Sequence, residues 1–292
     1  MTNITAGLVA ELRKITGLGM MECKKALVES NGDLQKAEEV LRIKNGNKIS
    51  KLSGRAATEG VVFIESSADN KHLVMLEVNC ETDFVAKDAN FVNFVKAVAK
   101  AILADTKVTE IEQVKSLTID GVSYEQCLAN VLAKLGENIS IRRLCRLDVD
   151  SGVVSGYVHS GKIGVMVHIS ENNMELGKDI ALHIAANKPL CLDKHGIDAD
   201  LLERETRIYT EQAKSSGKPA EIIAKMVEGR ISKYIAENTL LGQSFVKNQD
   251  LTIEALLKQH NAQVNKFTMF VLGEGLEKKE ENFAAEVANM MK

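Results

Sequence analysis

Two stretches of the chain begin alike and continue alike. Glu59-Gly60-Val61-Val62 and Ser151-Gly152-Val153-Val154 lie roughly ninety residues apart, each a polar residue followed by Gly-Val-Val. After the first, Gly60 to Ser66 and Leu73 to Cys80 are β-branched and apolar, with the polar turn Ser67-Ala68-Asp69-Asn70-Lys71 between them. This predicts a hairpin with a long loop. A helix capped by Asp88 follows, carrying Phe91, Val95, Val98 and Ile102 on one side. After the second, Val153 to His159 and Ile163 to Ile169 form a hairpin across Ser160-Gly161-Lys162, and a helix runs from about Glu175 to Ala186. Strand, turn, strand, helix is written twice. The expectation is an α+β fold built on a duplicated unit with antiparallel sheets. Ile139 to Val149, holding Arg142, Arg143 and Arg146, adds a strand before the second copy, and Lys266 to Leu272 returns as another.

Helices fill the remainder. Thr5 caps a first one whose buried stripe is Leu8, Val9, Leu12 and Ile15. Gly17 and Gly19 end it, Met20, Cys23 and Leu27 mark a second, and Asp33 begins a third with Leu34, Ala37, Val40 and Leu41. Helices this short persist only by packing on one another. The basic, glycine-marked run Lys44 to Arg55 is expected to be the boundary of this unit. Thr109 to Leu117 predicts a short helix, and Ser123 to Leu135 a firmer one with Ser123 and Gln126 placed for a reciprocal capping box. Asp198 to Lys214 and Pro219 to Leu241 predict an αα-hairpin, with Pro219 in a first helical turn. Thr252 to Lys258 adds a short helix. Beyond the polar linker Gly273 to Glu281, Asn282 to Met291 predicts a last one with Phe283, Val287 and Met290 as its apolar face.

Composition narrows the function. Thirty-seven basic against forty acidic residues leave a net charge of -3, without the positive excess that phosphate contacts demand of a nucleic-acid binder. No apolar run approaches the roughly twenty residues that cross a bilayer, and Met1 to Leu12 lacks the arrangement of a secretory signal. Five scattered cysteines (23, 80, 127, 145 and 191) read as free thiols of a reducing compartment, so a cytoplasmic location is expected.

Catalytic signatures are missing. Gly17-Leu18-Gly19 lies between helices with no strand before it, and no phosphate loop, His-Glu-x-x-His or Cys-x-x-Cys occurs. His72, His159, His168, His183, His195 and His260 are dispersed and read as structural or surface histidines. No metal and no cofactor are expected. Glu77, Glu81, Asp83 and Asp88 form an acidic stretch whose ordinary reading is hairpin-end polarity; a hydrolase using Glu77 and Asp83 would need them facing one another across a pocket. Lys44, Lys48, Lys51 and Arg55 with the three arginines of 142–146 are the basis of a nucleic-acid alternative, opposed by the lack of interleaved aromatics. Thr82-Asp83-Phe84-Val85 stands out, because an aromatic in so short a link either folds back onto the local core or projects as an anchor. The former is the more usual.

Those residues also carry a resemblance. Leu12-Arg13-Lys14-Ile15-Thr16-Gly17 with Gly19-Met20-Met21-Glu22-Cys23-Lys24-Lys25-Ala26-Leu27, and Glu77-Val78-Asn79-Cys80-Glu81-Thr82-Asp83-Phe84-Val85-Ala86, resemble the two signatures of bacterial translation elongation factor Ts. Lys225-Met226-Val227-Glu228-Gly229-Arg230 and Leu240-Leu241-Gly242-Gln243 resemble its helical arm. The resemblance implies a three-helix domain of the ubiquitin-associated type at 1–55, core subdomains at 56–139 and 140–272, a protruding arm at 198–241 within the latter, and a carboxy-terminal module at 273–292. It implies a non-catalytic guanine-nucleotide exchange factor that binds the GDP form of the GTPase elongation factor Tu and promotes release of GDP and magnesium. Thr82, Asp83, Phe84 and Val85 would form the exchange loop, Arg13, Met20, Met21 and Lys24 an amino-terminal contact, and Phe283, Val287 and Met290 a carboxy-terminal one. Self-association through the arm is a further expectation.

Overall fold

A computed structural model gives the fold of residues 4–276, with residues 45–51 described by their backbone alone. It is a mixed fold of helices and antiparallel sheets. Helix α1 (Ala6–Thr16) starts where the Thr5 hydroxyl accepts the Leu8 N–H at 3.3 Å and stops at Gly17, whose φ of 70° suits a residue without Cβ. With α2 (Met20–Glu29) and α3 (Leu34–Leu52) it closes around Leu12, Cys23, Leu27, Ala37 and Leu41. Ile15, expected on the buried stripe, is instead 57% exposed, facing a hollow shared with Val122 and Gln126. The run from Lys44, expected to be the boundary of this unit, is helical as far as Leu52. Leu52, buried in the next core, holds the far end of a continuous α3.

Strands β1 (Glu59–Ser66) and β2 (His72–Cys80) form the first predicted hairpin. There follow α4 (Asp83–Lys87), α5 (Ala89–Ala104), the single turn α6 (Ile111–Val114), the minimal hairpin β3 (Thr118–Ile119) and β4 (Val122–Ser123), and α7 (Tyr124–Leu135). Strand β5 (Ser140–Asp148) then pairs antiparallel with β2, completing the order β1-β2-β5. The Ser123 hydroxyl caps α7 through the Gln126 N–H, but the reciprocal bond is not made: the Gln126 amide is spent on Asn130 and Arg42. The predicted helix at 109–117 shrinks to α6, where Gln113 reaches back to the Thr109 and Glu110 N–H groups.

The second copy repeats the plan. Strands β6 (Val153–His159) and β7 (Ile163–Ile169) form the second predicted hairpin, and α8 (Met174–Asn187) covers them. A 3-10 turn at Lys194–Gly196 leads to α9 (Ala199–Lys214) and α10 (Ala220–Asn238), where Pro219 is the cap rather than the first turn. Only Ala213 of this helix pair is buried, so both helices lie at the surface. Helix α10 ends three residues earlier than predicted, because Thr239 bridges Cys191 and the Leu240 N–H turns to the Cys191 carbonyl. Strands β8 (Ser244–Phe245) and β9 (Asn248–Thr252), helix α11 (Ile253–Gln259) and β10 (Val264–Val271) complete the described chain, giving a second sheet of order β10-β7-β6.

The two sheets stack face to face between helical layers. Along β2, Val74, Leu76, Val78 and Cys80 face α5 and α7, while Leu73 and Met75 meet Val154, Met166 and Phe270 of the other sheet. With both faces covered, β2 is buried at every residue from Leu73 to Cys80 rather than at alternate ones. The repeated Gly-Val-Val has a physical cause. A Cβ on Gly60 would stand 2.1 Å from the Val78 carbonyl oxygen, and one on Gly152 would stand 2.0 Å from that of Ile169. The second valine of each copy donates its N–H to the tip of the other hairpin, Val62 to Gly161 and Val154 to Asn70.

Candidate functional site

The end of β2 is held by its neighbours. Asn79 faces Ser140 in the β2–β5 register, so the residues just past β2 must lie beside those just before β5. Gly136, left-handed at φ 72°, stops α7 and places Glu137 and Asn138 there. One Glu137 carboxylate oxygen accepts the N–H groups of Glu81 (3.1 Å) and Thr82 (3.0 Å), and the other accepts the Thr82 hydroxyl at 2.6 Å. In return, the Glu81 carboxylate accepts the Asn138 N–H at 2.6 Å and faces the Arg55 guanidinium at 3.6 Å. The Asn138 amide donates to the Arg55 carbonyl. Three distant segments are thereby clasped at the foot of one turn.

From that foot rises α4. The Thr82 hydroxyl caps it by accepting the Val85 N–H at 3.3 Å. Five residues make no stable helix alone, and α4 persists because Val85 and Ala86 are buried against the core under α5. Phe84 points the other way and is 81% exposed. Asp83 meets Lys87 at 2.7 Å on the exposed side, and that hydrogen bond lowers its carboxyl pKa. A large aromatic ring thus stands in water on a backbone fixed at both ends. Folding back is the reading that fails.

A second exposed apolar face belongs to α2. At about 100° per residue, Met20, Met21, Lys24 and Val28 fall within one arc of about 100°, and the buried Cys23, Ala26 and Leu27 fall on the adjoining arc. Met20 and Met21 are 57% and 63% exposed.

The comparisons with known proteins decide the family. The model described as Elongation factor TS matches residues 81–274. The chain is 51% identical over 290 residues to Elongation factor Ts of Chromobacterium violaceum, covering 99% of this chain and 98% of that protein. It is 50% identical over 289 residues to Elongation factor Ts of Nitrosospira multiformis, covering 98% and 96%. The chain belongs to the elongation factor Ts family. Its role is in translation elongation, within protein biosynthesis.

The predicted residues fall into separate groups. Thr82, Asp83, Phe84 and Val85 form the cap and first turn of α4, where Val85 is the buried foot and Phe84 the exposed tip. Arg13, Met20, Met21 and Lys24 are exposed on α1 and α2. Phe283, Val287 and Met290 lie outside the described residues. The paired-carboxylate alternative fails on geometry. Glu77 is fully buried and accepts from Arg142 (3.0 Å), Arg143 (2.5 Å) and the Gly273 N–H (2.9 Å). Burial would raise its pKa, but the Gly273 N–H and the two guanidiniums outweigh burial and hold it low. The same bonds consume two arginines of the nucleic-acid alternative. Arg146 donates to the carbonyls of Ile102, Leu103 and Asp105 at the end of α5. Among the described residues no three His, Cys, Asp or Glu side chains converge to hold a metal ion, and no helix is long and apolar enough to cross a membrane.

Glu137 is the residue that sequence reasoning missed. Its only local signal is a carboxylate immediately after a helix-stopping glycine, and its partners lie 55 and 56 positions away.

Proposed function

We propose that this chain is a guanine-nucleotide exchange factor for elongation factor Tu, acting on the GDP form and promoting loss of GDP and magnesium. The observation that carries the reading is Phe84, exposed at the tip of a helix whose foot is buried, in a member of the elongation factor Ts family. No catalytic group is needed. A phosphate-loop GTPase holds nucleotide through backbone N–H groups and the charge of its metal ion. A protein that binds the nucleotide-poor conformation better than the GDP-bound one competes with GDP, and the coupling is reciprocal. The Asp83–Phe84 tip enters the GTPase domain, the ring supplying buried apolar area and the exposed carboxylate its polarity. Met20, Met21, Arg13 and Lys24 provide a second contact. Phe283, Val287 and Met290 provide a third. The division proposed alongside is a ubiquitin-associated-type domain at 1–55, core subdomains at 56–139 and 140–272, and a module at 273–292. The α9–α10 arm is the surface through which copies associate, which sedimentation at rising concentration tests. The working location is the cytoplasm.

The deciding experiment is release of mant-GDP from purified elongation factor Tu in the presence of excess GDP, with the chain titrated in. The expected result is a release rate that climbs and saturates with factor concentration. A rate that stays at the intrinsic value throughout the titration would remove the proposal.

A further inference from the structure

We infer that Glu137 is the positioning residue of the exchange loop, setting where the Phe84 ring stands without touching the partner. The inference rests on the exchange reading above. Its basis is the geometry at the foot of α4. The two backbone N–H groups that precede the helix, and the hydroxyl that caps it, all donate to one carboxylate. The Thr82 hydroxyl is a relay: its proton goes to Glu137 while its oxygen accepts the Val85 N–H. Occupying the proton in one direction leaves the oxygen oriented toward the helix, so Glu137 acts on the first turn that carries Asp83 and Phe84. The link is short, since Phe84 follows the clasped Thr82 by two residues. The other fixed point is Val85–Ala86, buried in the core. Between them the ring has a defined height and direction. Without the Glu137 carboxylate α4 remains tethered by Val85 and Ala86, and Glu81 by Asn138 and Arg55, but the Thr82 cap loses the partner that orients it.

Charge is less important here than the pattern of donors and acceptors. A Gln at 137 retains an oxygen that accepts both N–H groups. Its amide N–H₂ then donates to the Thr82 oxygen, whose own O–H turns to donate to water. Alanine retains nothing. A positioning role therefore predicts Glu137→Gln close to the natural chain and Glu137→Ala far from it. Glu137 is half-buried, so water reaches the freed N–H groups and the fold survives.

The test is stopped-flow release of mant-GDP from elongation factor Tu across a range of factor concentrations, read as plateau rate and half-saturating concentration. Glu137→Ala is expected to lower the plateau tenfold or more, with the half-saturating concentration moved less than threefold. Glu137→Gln is expected within threefold of the natural plateau. A purely structural role gives a different pattern, because a smaller folded fraction raises the concentration needed and leaves the plateau intact. Combining Glu137→Ala with Phe84→Ala should add little to Phe84→Ala alone, since a missing ring cannot be misplaced. A natural-type plateau for Glu137→Ala overturns the inference, as does a Glu137→Gln plateau as low as that of alanine. If the natural chain itself fails to accelerate release, the exchange reading falls and this inference with it. Acceleration by the natural chain with an unimpaired Glu137→Ala overturns the positioning role alone.

Discussion

The two strand–turn–strand–helix units share a plan and differ at one junction. After β7 the chain needs only Ser170 to Asn173 before α8 begins, with Asn173 as its cap. After β2 it takes a longer path, inserting α4 before the Asp88 cap of α5. The second unit shows that the fold closes without such an insertion. What the first unit adds is an exposed phenylalanine on a pinned helix, together with a carboxylate clasp that no requirement of the core explains. The sheet interface is asymmetric too. The first unit contributes Val62, Ile64 and Met75, and the second answers with Gly156 and Gly164, where a Cβ would come within 2.9 Å of Ile64 and 2.4 Å of Val62. The first unit presents the tip, and the second makes room at Gly156 and Gly164 while its helix α8 holds the exit of the arm.

The sharpest way to break this comparison sets Phe84 against Phe91, seven residues on and fully buried in α5. Phe91→Ala is expected to cost about 3–5 kcal/mol in urea unfolding by opening a cavity. Phe84→Ala should cost about 1 kcal/mol or less, because its ring is already in water. Its loss appears in exchange instead, where burying an aromatic anchor is worth roughly 2 kcal/mol or more. That corresponds to a release rate about thirtyfold lower at subsaturating factor. Equal destabilisation by the two substitutions would show that Phe84 belongs to the core and that the first unit has no projecting tip.

Next in size is the sheet interface. Gly164→Val should destabilise by about 1–3 kcal/mol, since the added atoms meet Val62 and Met75 in a packed core. A compensating Met75→Ala should recover part of that loss. If the single substitution leaves the urea midpoint unmoved, the two sheets are not in the contact described.

The stability of the arm's exit is expected to depend on pH. His183 on α8 is buried, its Nδ1 accepting the Val246 N–H at 3.2 Å, so its proton sits on Nε2 and goes to Gln243 at 3.0 Å. Gln243 in turn donates to the Glu237 carbonyl at the end of α10. Burial lowers the pKa of His183, so the unfolded chain takes up the proton first as pH falls. Stability is thus fully present above the unfolded value of about 6.5 and is lost as pH drops from there toward the lower folded-state pKa, by at most about 1.4 kcal/mol per pH unit. In His183→Asn, whose side-chain oxygen can accept from Val246, this component should vanish. Comparing urea midpoints of the two chains from pH 7.5 to pH 5 isolates it, and identical slopes would show that His183 is not held neutral.

How much of this was legible in the chain follows from the range of the interactions. The hairpins and α5 could be read because β-branched runs, turn residues and the Asp88 cap are local signals, and the repeated Gly-Val-Val reports a backbone approach that only glycine tolerates. That α3 continues through Lys44 to Leu52 was not legible, because polar composition is compatible with a loop and with a helix, and the contact of Leu52 is with a later core. Ser123 lost its predicted box since Arg42, far away in sequence, competes for Gln126. At the site, Phe84 was conspicuous but its direction was open, because five residues of helix are fixed by tertiary burial of Val85 and Ala86 and not by propensity. Glu137 was invisible for the same reason in stronger form: it acts wholly through residues brought beside it by the β2–β5 pairing.

The smallest expected effect separates charge from shape at the tip. Asp83 is the first residue of α4, beside the ring; its carboxylate accepts from Lys87, itself on the exposed surface, and Lys162 adds a weaker Coulombic attraction. Surface pairs of this kind contribute little to a fold, and the N-terminal position adds a weak favourable interaction with the helix dipole. Asp83→Asn keeps the side-chain shape and removes the charge, so the urea midpoint should not move measurably. In exchange the substitution should reduce the mant-GDP release rate by a factor of about five at most, the scale of an exposed ion pair, well short of the loss from Phe84→Ala. Raising the salt concentration should narrow the gap between Asp83→Asn and the natural chain, because screening weakens what the charge contributes and leaves the ring untouched. A defect as large as that of Phe84→Ala, and insensitive to salt, would mean that the carboxylate rather than the ring makes the decisive contact. The first unit would then differ from the second by a charge placed on a helix, with the phenylalanine as its support.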